Sequence, residues 1–316
     1  MVWDPGILSH VHASRPQVDI DAADLVSRRS IKGDSQVEAD LRLVGLIDDT
    51  TLKGGDTPGN VRRLCRKALA PVPSGVLAKL GYNEPLTVGG VCVYRQQVPV
   101  AVAALYGRVP VAAVSTDFPH GQNSSLEERC AQIRGAVEAG AAEIDVVIRR
   151  GLALCERWRE LYDELVAFRE VCGQAHLKVI LGVGDLADYQ IIAKAACVAM
   201  MAGADFIKTS TGMEKVNATL PVGLVMLRMI RWFYTEVDPG RMVGFKPAGG
   251  IGKAAQARAW FVLMNEELGT LDPSWLEPRL FRIGASTLLD DLIAQLTTNA
   301  DGGGDKYADY TEIPIG

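Results

Sequence analysis

Short apolar runs rich in β-branched residues alternate with longer amphipathic segments along most of the chain. Eight of the runs predict strands: residues 43–48, 88–93, 111–116, 143–148, 177–181, 206–209, 242–246 and 281–284. Between them, apolar positions recur at helical spacing. In residues 158–172, Trp158, Leu161, Leu165 and Phe168 fall on one stripe, and residues 125–139 carry a second such pattern. Strand and helix in alternation predict a parallel sheet, and eight repeats predict its closure into a (β/α)8 TIM barrel, an α/β fold. An open doubly wound sheet is the competing arrangement, but the Gly-rich turn that would follow its first strand is missing.

Both ends read as additions to the barrel. Residues 1–40 form an N-terminal helical extension, with a charged, partly helical stretch over 22–40. Residues 41–300 form the barrel. Asp301-Gly302-Gly303-Gly304-Asp305 then opens a short flexible C-terminal tail, 301–316.

Composition narrows the partners. A chain of 316 residues suits a decorated barrel, and the net charge of −5 leaves no basic stripe for nucleic acid. Small molecules and further copies of the chain, a dimer first, are the expected partners. The six cysteines, Cys65, Cys92, Cys130, Cys155, Cys172 and Cys197, form no Cys-x-x-Cys pair and read as free thiols in a reducing compartment. The first residues carry Asp4 and Pro5 where a signal peptide needs a basic and then an apolar run. The apolar stretch 98–114 is interrupted by Gly107, Arg108 and Pro110 before it reaches membrane-spanning length. A soluble, cytoplasmic protein is expected.

In this fold, chemistry collects at the C-terminal ends of the strands. The predicted ends supply Asp48, Cys92, Asp145, Lys178, Lys208, Lys246 and Ser286. A lysine buried in a barrel mouth is costly unless paired, so three on three successive strands call for a functional reason. Crowded ammonium groups lower one another's proton affinity, which is how an amine becomes nucleophilic near neutral pH. With an aspartate beside them for proton transfer, the set points to imine chemistry.

Several strings resemble the deoxyribose-phosphate aldolases, class I aldolases that work through a lysine Schiff base. Asp205-Phe206-Ile207-Lys208-Thr209-Ser210-Thr211-Gly212 is similar to the family's Schiff-base strand, and Gly244-Phe245-Lys246-Pro247-Ala248-Gly249-Gly250-Ile251 to its second lysine motif. Glu143-Ile144-Asp145-Val146-Val147 matches the catalytic aspartate strand. Leu46-Ile47-Asp48-Asp49-Thr50-Thr51-Leu52 and Phe281-Arg282-Ile283-Gly284-Ala285-Ser286-Thr287 match the first and last strands. The resemblance runs in order from about residue 43 to the tail, and the leader and tail resemble the longer, animal-type members.

The resemblance implies a cofactor-free lyase acting on sugar phosphate and aldehyde substrates. Lys208 would form the imine, Lys246 would lower the proton affinity of Lys208, and Asp145 would shuttle protons with it. Asp48, Cys92, Lys178 and Thr211 would orient hydroxyls and water. Gly212, Gly249, Gly250 and Gly284 would offer backbone N–H groups to a phosphate, with hydroxyls from Ser286 and Thr287 at a helix start. A tail tyrosine, Tyr307 or Tyr310, would fold over the site. A zinc-dependent aldolase is disfavoured: the chain has only His10, His12, His120 and His176. His120, in a loop after the third strand, either lines the site or shapes a turn.

The rim departs from the family pattern. Met213 and Gly252 stand where a lysine and an arginine are expected, and Lys215 and Lys253 are displaced along the chain. Asp117, Val183 and Asp185 are smaller departures in neighbouring loops. A same-fold Schiff-base aldolase preferring unphosphorylated aldehydes is therefore the alternative, and a barrel without catalysis a more distant one.

Overall fold

The computed structural model describes residues 1–28, 31 and 33–302. Its centre is a ring of eight short parallel strands: β1 (Ile47–Thr50), β2 (Gly90–Tyr94), β3 (Val111–Ser115), β4 (Glu143–Val147), β5 (His176–Ile180), β6 (Phe206–Lys208), β7 (Gly244–Lys246) and β8 (Ile283–Ala285). Neighbours in sequence are neighbours in the sheet from β1 to β7, and β8 pairs with β1. The ring closes between β7 and β8, where Phe245 N donates to Leu280 O (2.8 Å), Arg282 N to Phe245 O (3.1 Å) and Gly284 N to Pro247 O (2.9 Å). That closure excludes the open doubly wound alternative.

Most strand boundaries shift from the expected ones by a residue or two, and one shifts by a full helical turn. Residues 43–46 are the last turn of the helix Asp34–Leu46, and β1 starts at Ile47. Leu43, Val44 and Leu46 are fully or almost fully buried, so helix and strand merge into one apolar run in which periodicity does not separate them. This helix also runs across the predicted 40/41 boundary and feeds straight into the barrel.

The crossover helices form where the sequence carries start signals. Ser125 caps the helix Leu126–Glu138, accepting from Glu128 N while Glu128 accepts from Ser125 N. The helix Trp158–Cys172 buries its Trp158, Leu161, Leu165 and Phe168 stripe against the sheet's outer face. Strand residues are buried on both faces, apolar outward and mostly polar inward, which is what a parallel barrel wrapped by helices requires. The leader is packed, not loose: Gln190 accepts from Ala13 N (2.8 Å) and donates to Val11 O (2.6 Å), and Tyr189 Oη donates to Asp19 (2.8 Å). Among the described residues no helix is long and apolar enough to cross a membrane.

Candidate active site

Side chains alternate across a strand, so Glu143 and Asp145 both point into the barrel from β4. Asp145 is the hub. Its Oδ2 accepts from Lys208 Nζ on β6 (2.8 Å) and from Lys246 Nζ on β7 (2.9 Å), and its Oδ1 accepts from Lys178 Nζ on β5 (3.3 Å). Lys246 also donates to Asp48 Oδ2 on β1 at 2.5 Å. Below this layer, Lys178 donates to Glu143, and Arg282, just ahead of β8, reaches both Asp48 and Glu143. All of these side chains are almost wholly buried. The end of β4 is fixed from outside: Thr116 Oγ1 accepts from Val147 N (2.7 Å), and the buried Arg129 donates to Val147 O (2.9 Å).

The charges settle differently from the mutual weakening expected of crowded lysines. Burial opposes the charge on Lys246, but the carboxylates of Asp145 and Asp48 outweigh it, and the ammonium holds its proton more firmly than a free lysine. Lys178 behaves likewise, with Asp145, Glu143 and Asp48 overcoming burial. Asp145 stays ionised well below the usual carboxylate range: burial resists this, and Lys178, Lys208 and Lys246 prevail. Lys178 and Lys246 are thus firm cations, because each faces two or three carboxylates as well as other lysines.

The structure brings Lys208, Lys246, Asp145, Asp48 and Lys178 into one cluster. Cys92 on β2 is fully buried with Ala112 and Val114, against Leu52, Tyr94 and Phe118, on the apolar side of the interior. Burial pushes its thiol up, which suits packing more than reactivity. Thr211 is nearly buried at the rim, and its Oγ1 accepts from Met213 N (3.1 Å), so its hydroxyl is already part of a turn. Glu143 and Arg282 are the cluster members that strand-end reasoning misses. Their signal was a charge embedded in an apolar run, with Glu143 two residues before Asp145 on the same face.

The rim beyond Lys208 and Lys246 is built from glycines with positive φ: Gly212 (+87°), Gly249 (+88°) and Gly250 (+79°). A Cβ on Gly212 would lie 3.7 Å from the Gly249 Cα, so the two loops meet. Among the described residues, the N–H groups of these three glycines donate to no protein acceptor. Gly284 is different. Its N–H is spent on Pro247 O in closing the barrel, and a Cβ there would meet Ala248 and Lys246. Gly284 therefore makes room in the wall and does not offer a donor. Ser286 and Thr287 are exposed ahead of the helix Leu288–Ala300, and Gly252 faces Thr287, whose hydroxyl a Cβ there would approach to 3.1 Å.

The two positions where the rim was expected to carry cations carry none. Met213 is 49% exposed, and Gly252 has no side chain to offer. Lys253 pairs with Asp291 (2.8 Å), and Asp290 and Asp291 line an open groove beside Gly250, Gly252 and Thr287. Glu214 accepts the Thr211 N–H. Asp117 pins its own loop by accepting from Asn123 N, Ser124 and Gln132, and Asp185 pairs with Arg150 (2.7 Å). His120 is exposed in that same loop, and His10 and His12 are exposed in the leader. Tyr307 and Tyr310 lie outside the described residues.

A family model described as DeoC/LacD family aldolase matches residues 43–291. The deoxyribose-phosphate aldolase of Homo sapiens is 47% identical over 312 residues, spanning 98% of this chain and 95% of that protein. A crystal structure from Toxoplasma gondii ME49 superposes with a TM-score of 0.71 at 23% identity, covering 87% of this chain and all of that one. The tetrameric deoxyribose phosphate aldolase from Aeropyrum pernix gives 0.60 at 21% identity, covering 91% of this chain and 100% of that one.

Proposed function

The chain belongs to the DeoC/LacD family of aldolases, and from that premise we propose that it reversibly cleaves 2-deoxy-D-ribose 5-phosphate to acetaldehyde and D-glyceraldehyde 3-phosphate through an imine on Lys208. The observation that carries this reading is the seating of Lys208 Nζ, 2.8 Å from an aspartate that also holds Lys246 at 2.9 Å. The attacking amine must be unprotonated. With Lys208 neutral, the buried cluster carries three cations (Lys178, Lys246, Arg282) and three anions (Asp48, Glu143, Asp145), so the charges balance.

The steps follow from that arrangement. Lys208 Nζ adds to the C1 aldehyde, and the carbinolamine loses water to give an iminium. C1 and C2 leave together as acetaldehyde, so the bond that breaks is C2–C3. Its electrons move into the iminium to form an enamine, while the C3 hydroxyl gives up its proton and becomes the aldehyde of the departing triose phosphate. Protonation of the enamine at C2 and hydrolysis release acetaldehyde and return Lys208. Asp145 and the firmly protonated Lys246 sit where those protons must be relayed, through water within the closed interior. Gly212, Gly249 and Gly250 present the donors for the phosphate, with Ser286 and Thr287 beside them.

Borohydride reduction in the presence of acetaldehyde, followed by intact mass and peptide mapping, tests the reading. An ethyl adduct on Lys208, absent from Lys208→Leu, is the expected result. No adduct, or one elsewhere, overturns it and would leave a non-catalytic barrel.

One observation favours a second reading of the substrate. The rim pairs a glycine cradle with Met213 and Gly252, and the groove beside it sets one lysine, Lys253, against the carboxylates of Asp290 and Asp291, with Lys253 already paired to Asp291. On this reading the aldolase prefers unphosphorylated aldehydes. The ratio of kcat/KM for deoxyribose 5-phosphate to that for deoxyribose decides it: a ratio near one supports this reading, and a ratio of several thousand rejects it.

A further inference from the structure

Six of the buried charges close into a loop of alternating sign. Arg282 Nη1 meets Asp48 Oδ1 at 2.5 Å, and Asp48 Oδ2 meets Lys246. Lys246 meets Asp145 Oδ2, Asp145 Oδ1 meets Lys178, and Lys178 meets Glu143 Oε2. Glu143 Oε1 returns to Arg282 Nη2 at 3.0 Å. Three cations and three anions sum to zero. Lys208 is not a member: its single hydrogen bond ties it to Asp145 from outside the loop.

The fold makes deliberate room for the closing residue. A Cβ on Gly90 would collide with the Asp48 carboxylate and the Arg282 guanidinium; one on Gly89 would collide first with Gly45 O, at 2.5 Å, and lie 3.2 Å from Arg282 Cδ. Gly90, the first residue of β2, thus leaves the space that the guanidinium and the Asp48 carboxylate fill. Arg282 Nε donates to Pro278 O, which leaves both terminal nitrogens for the two carboxylates. An arginine held by three acceptors in this way is fixed in direction as well as in charge.

We propose that Arg282 and Glu143 are positioning residues for the reaction at Lys208: by closing the ring they keep it electrically neutral beneath the amine. The proposal rests on the Schiff-base reading of Lys208. A ring one charge negative favours the ammonium form of Lys208, which cannot attack. A ring one charge positive disfavours the cationic iminium that the attack produces. Neutrality serves both steps. Lys208 meets Asp145 on β4 directly, has Lys246 beside it in register on β7 and acts on the Cys92 thiol on β2; Lys178 on β5 and Asp48 on β1 reach it through the carboxylate of Asp145 and the ammonium of Lys246. At the far end of the ring His176 Nδ1 lies 3.8 Å from Glu143, and Phe206 faces the Lys178 ammonium at 5.8 Å.

The test is the pH dependence of Lys208 imine formation, trapped with acetaldehyde and borohydride in the full-length protein. It is run on the wild type, Arg282→Met, Glu143→Gln and the double variant, with His176→Gln as the control for that residue's own titration. The acid limb should move up by about one pH unit in Arg282→Met and down by about one in Glu143→Gln, roughly a tenfold change in rate at fixed pH on that limb. In the double variant, whose remaining four charges balance, it should return to within about 0.3 of wild type. Glu143→Gln is isosteric and leaves every ring cation with a carboxylate partner, so its downward shift carries the test even where Arg282→Met does not fold. Shifts of both single variants in the same direction, or no shift in Glu143→Gln, overturn the proposal. A wild type that traps nothing on Lys208 overturns the Schiff-base reading instead.

Discussion

Inside the barrel charge is dense, buried and met on every side; at the rim it is sparse and met by single, exposed ion pairs. The interior gathers seven ionisable side chains, each no more than about 5% exposed, and ties them into one network. Where a removed partner leaves a buried charge with no other mate, the cost is on the order of 3–5 kcal/mol. The rim offers three glycine N–H groups, two exposed hydroxyl residues and a half-exposed methionine. A change at the exposed side chains there costs the fold little, whereas the three glycines are held by their left-handed φ. Change is tolerated unevenly: the reaction is over-determined by its own packing, whereas substrate preference hangs partly on positions such as 213 and 252, which the fold leaves exposed or without a side chain.

The interior half of the comparison makes the largest predictions. Lys208→Leu should lower kcat for aldol cleavage by on the order of 10⁴-fold or more, since the nucleophile is gone and proton relay without it accomplishes little. Lys246→Met should cost about 10²–10⁴-fold in kcat and destabilise the protein as well, because Asp48 and Asp145 lose a firm cation. Steady-state kinetics with parallel thermal unfolding separate the two losses. A Lys246→Met variant that keeps wild-type kcat would remove the relay role and leave Lys246 as scaffold.

The rim half predicts a gain. Gly252 has ordinary backbone geometry and only the Thr287 hydroxyl in the way of a side chain, and Met213 already points half into solvent. Met213→Lys with Gly252→Arg should therefore fold normally. Each new cation should raise the preference for deoxyribose 5-phosphate over deoxyribose by roughly tenfold to a hundredfold, the value of about 1.5–3 kcal/mol for a charge-assisted contact. The readout is the ratio of the two kcat/KM values, with kcat on deoxyribose nearly unchanged. An unaltered ratio would mean that the phosphate does not sit in this cradle.

The same contrast governs what the sequence makes legible. Lys178, Lys208, Lys246 and Asp145 stand out because a charge inside an apolar run has no packing reason to be there. Strand count and order follow from periodicity, and the boundary it misplaces furthest is residues 43–46, where the buried face of a helix continues directly into β1. Glu143 and Arg282 carry the same signature as the lysines. They escape a reading weighted toward C-terminal strand ends because they lie one layer deeper in the barrel. The sign of the lysines' interaction was hidden for a different reason: spacing along the chain does not show that Asp145 and Asp48 both come within hydrogen-bond reach of Lys246, or that Asp145 and Glu143 reach Lys178. The rim is the least legible part. Whether a glycine offers its N–H depends on φ and on what the barrel has already used, and this is what separates Gly212, Gly249 and Gly250 from Gly284.

The smallest effect comes from a third kind of site, a buried charge with neither network nor solvent. Asp48 and Asp49 are adjacent on β1 and face opposite ways. Asp48 is held in the ring. Asp49 points into the helix layer, 3% exposed, and its Oδ2 has no hydrogen-bond partner. Burial pushes its carboxyl up to about 6, with Lys67 opposing weakly and Asp290 adding to the shift. In the unfolded chain this group ionises as pH rises through about 4, whereas in the folded protein it resists until about 6. Its penalty therefore grows over that window and is constant above it. Asp49→Asn removes the charge but introduces an amide that also lacks a partner, so the net gain should be about 1–2 kcal/mol near pH 7.5 and close to nothing near pH 4. Thermal unfolding at the two pH values, with unchanged aldol kinetics, checks this. An equal gain at both would mean that packing, and not the charge, was what Asp49 had cost the fold.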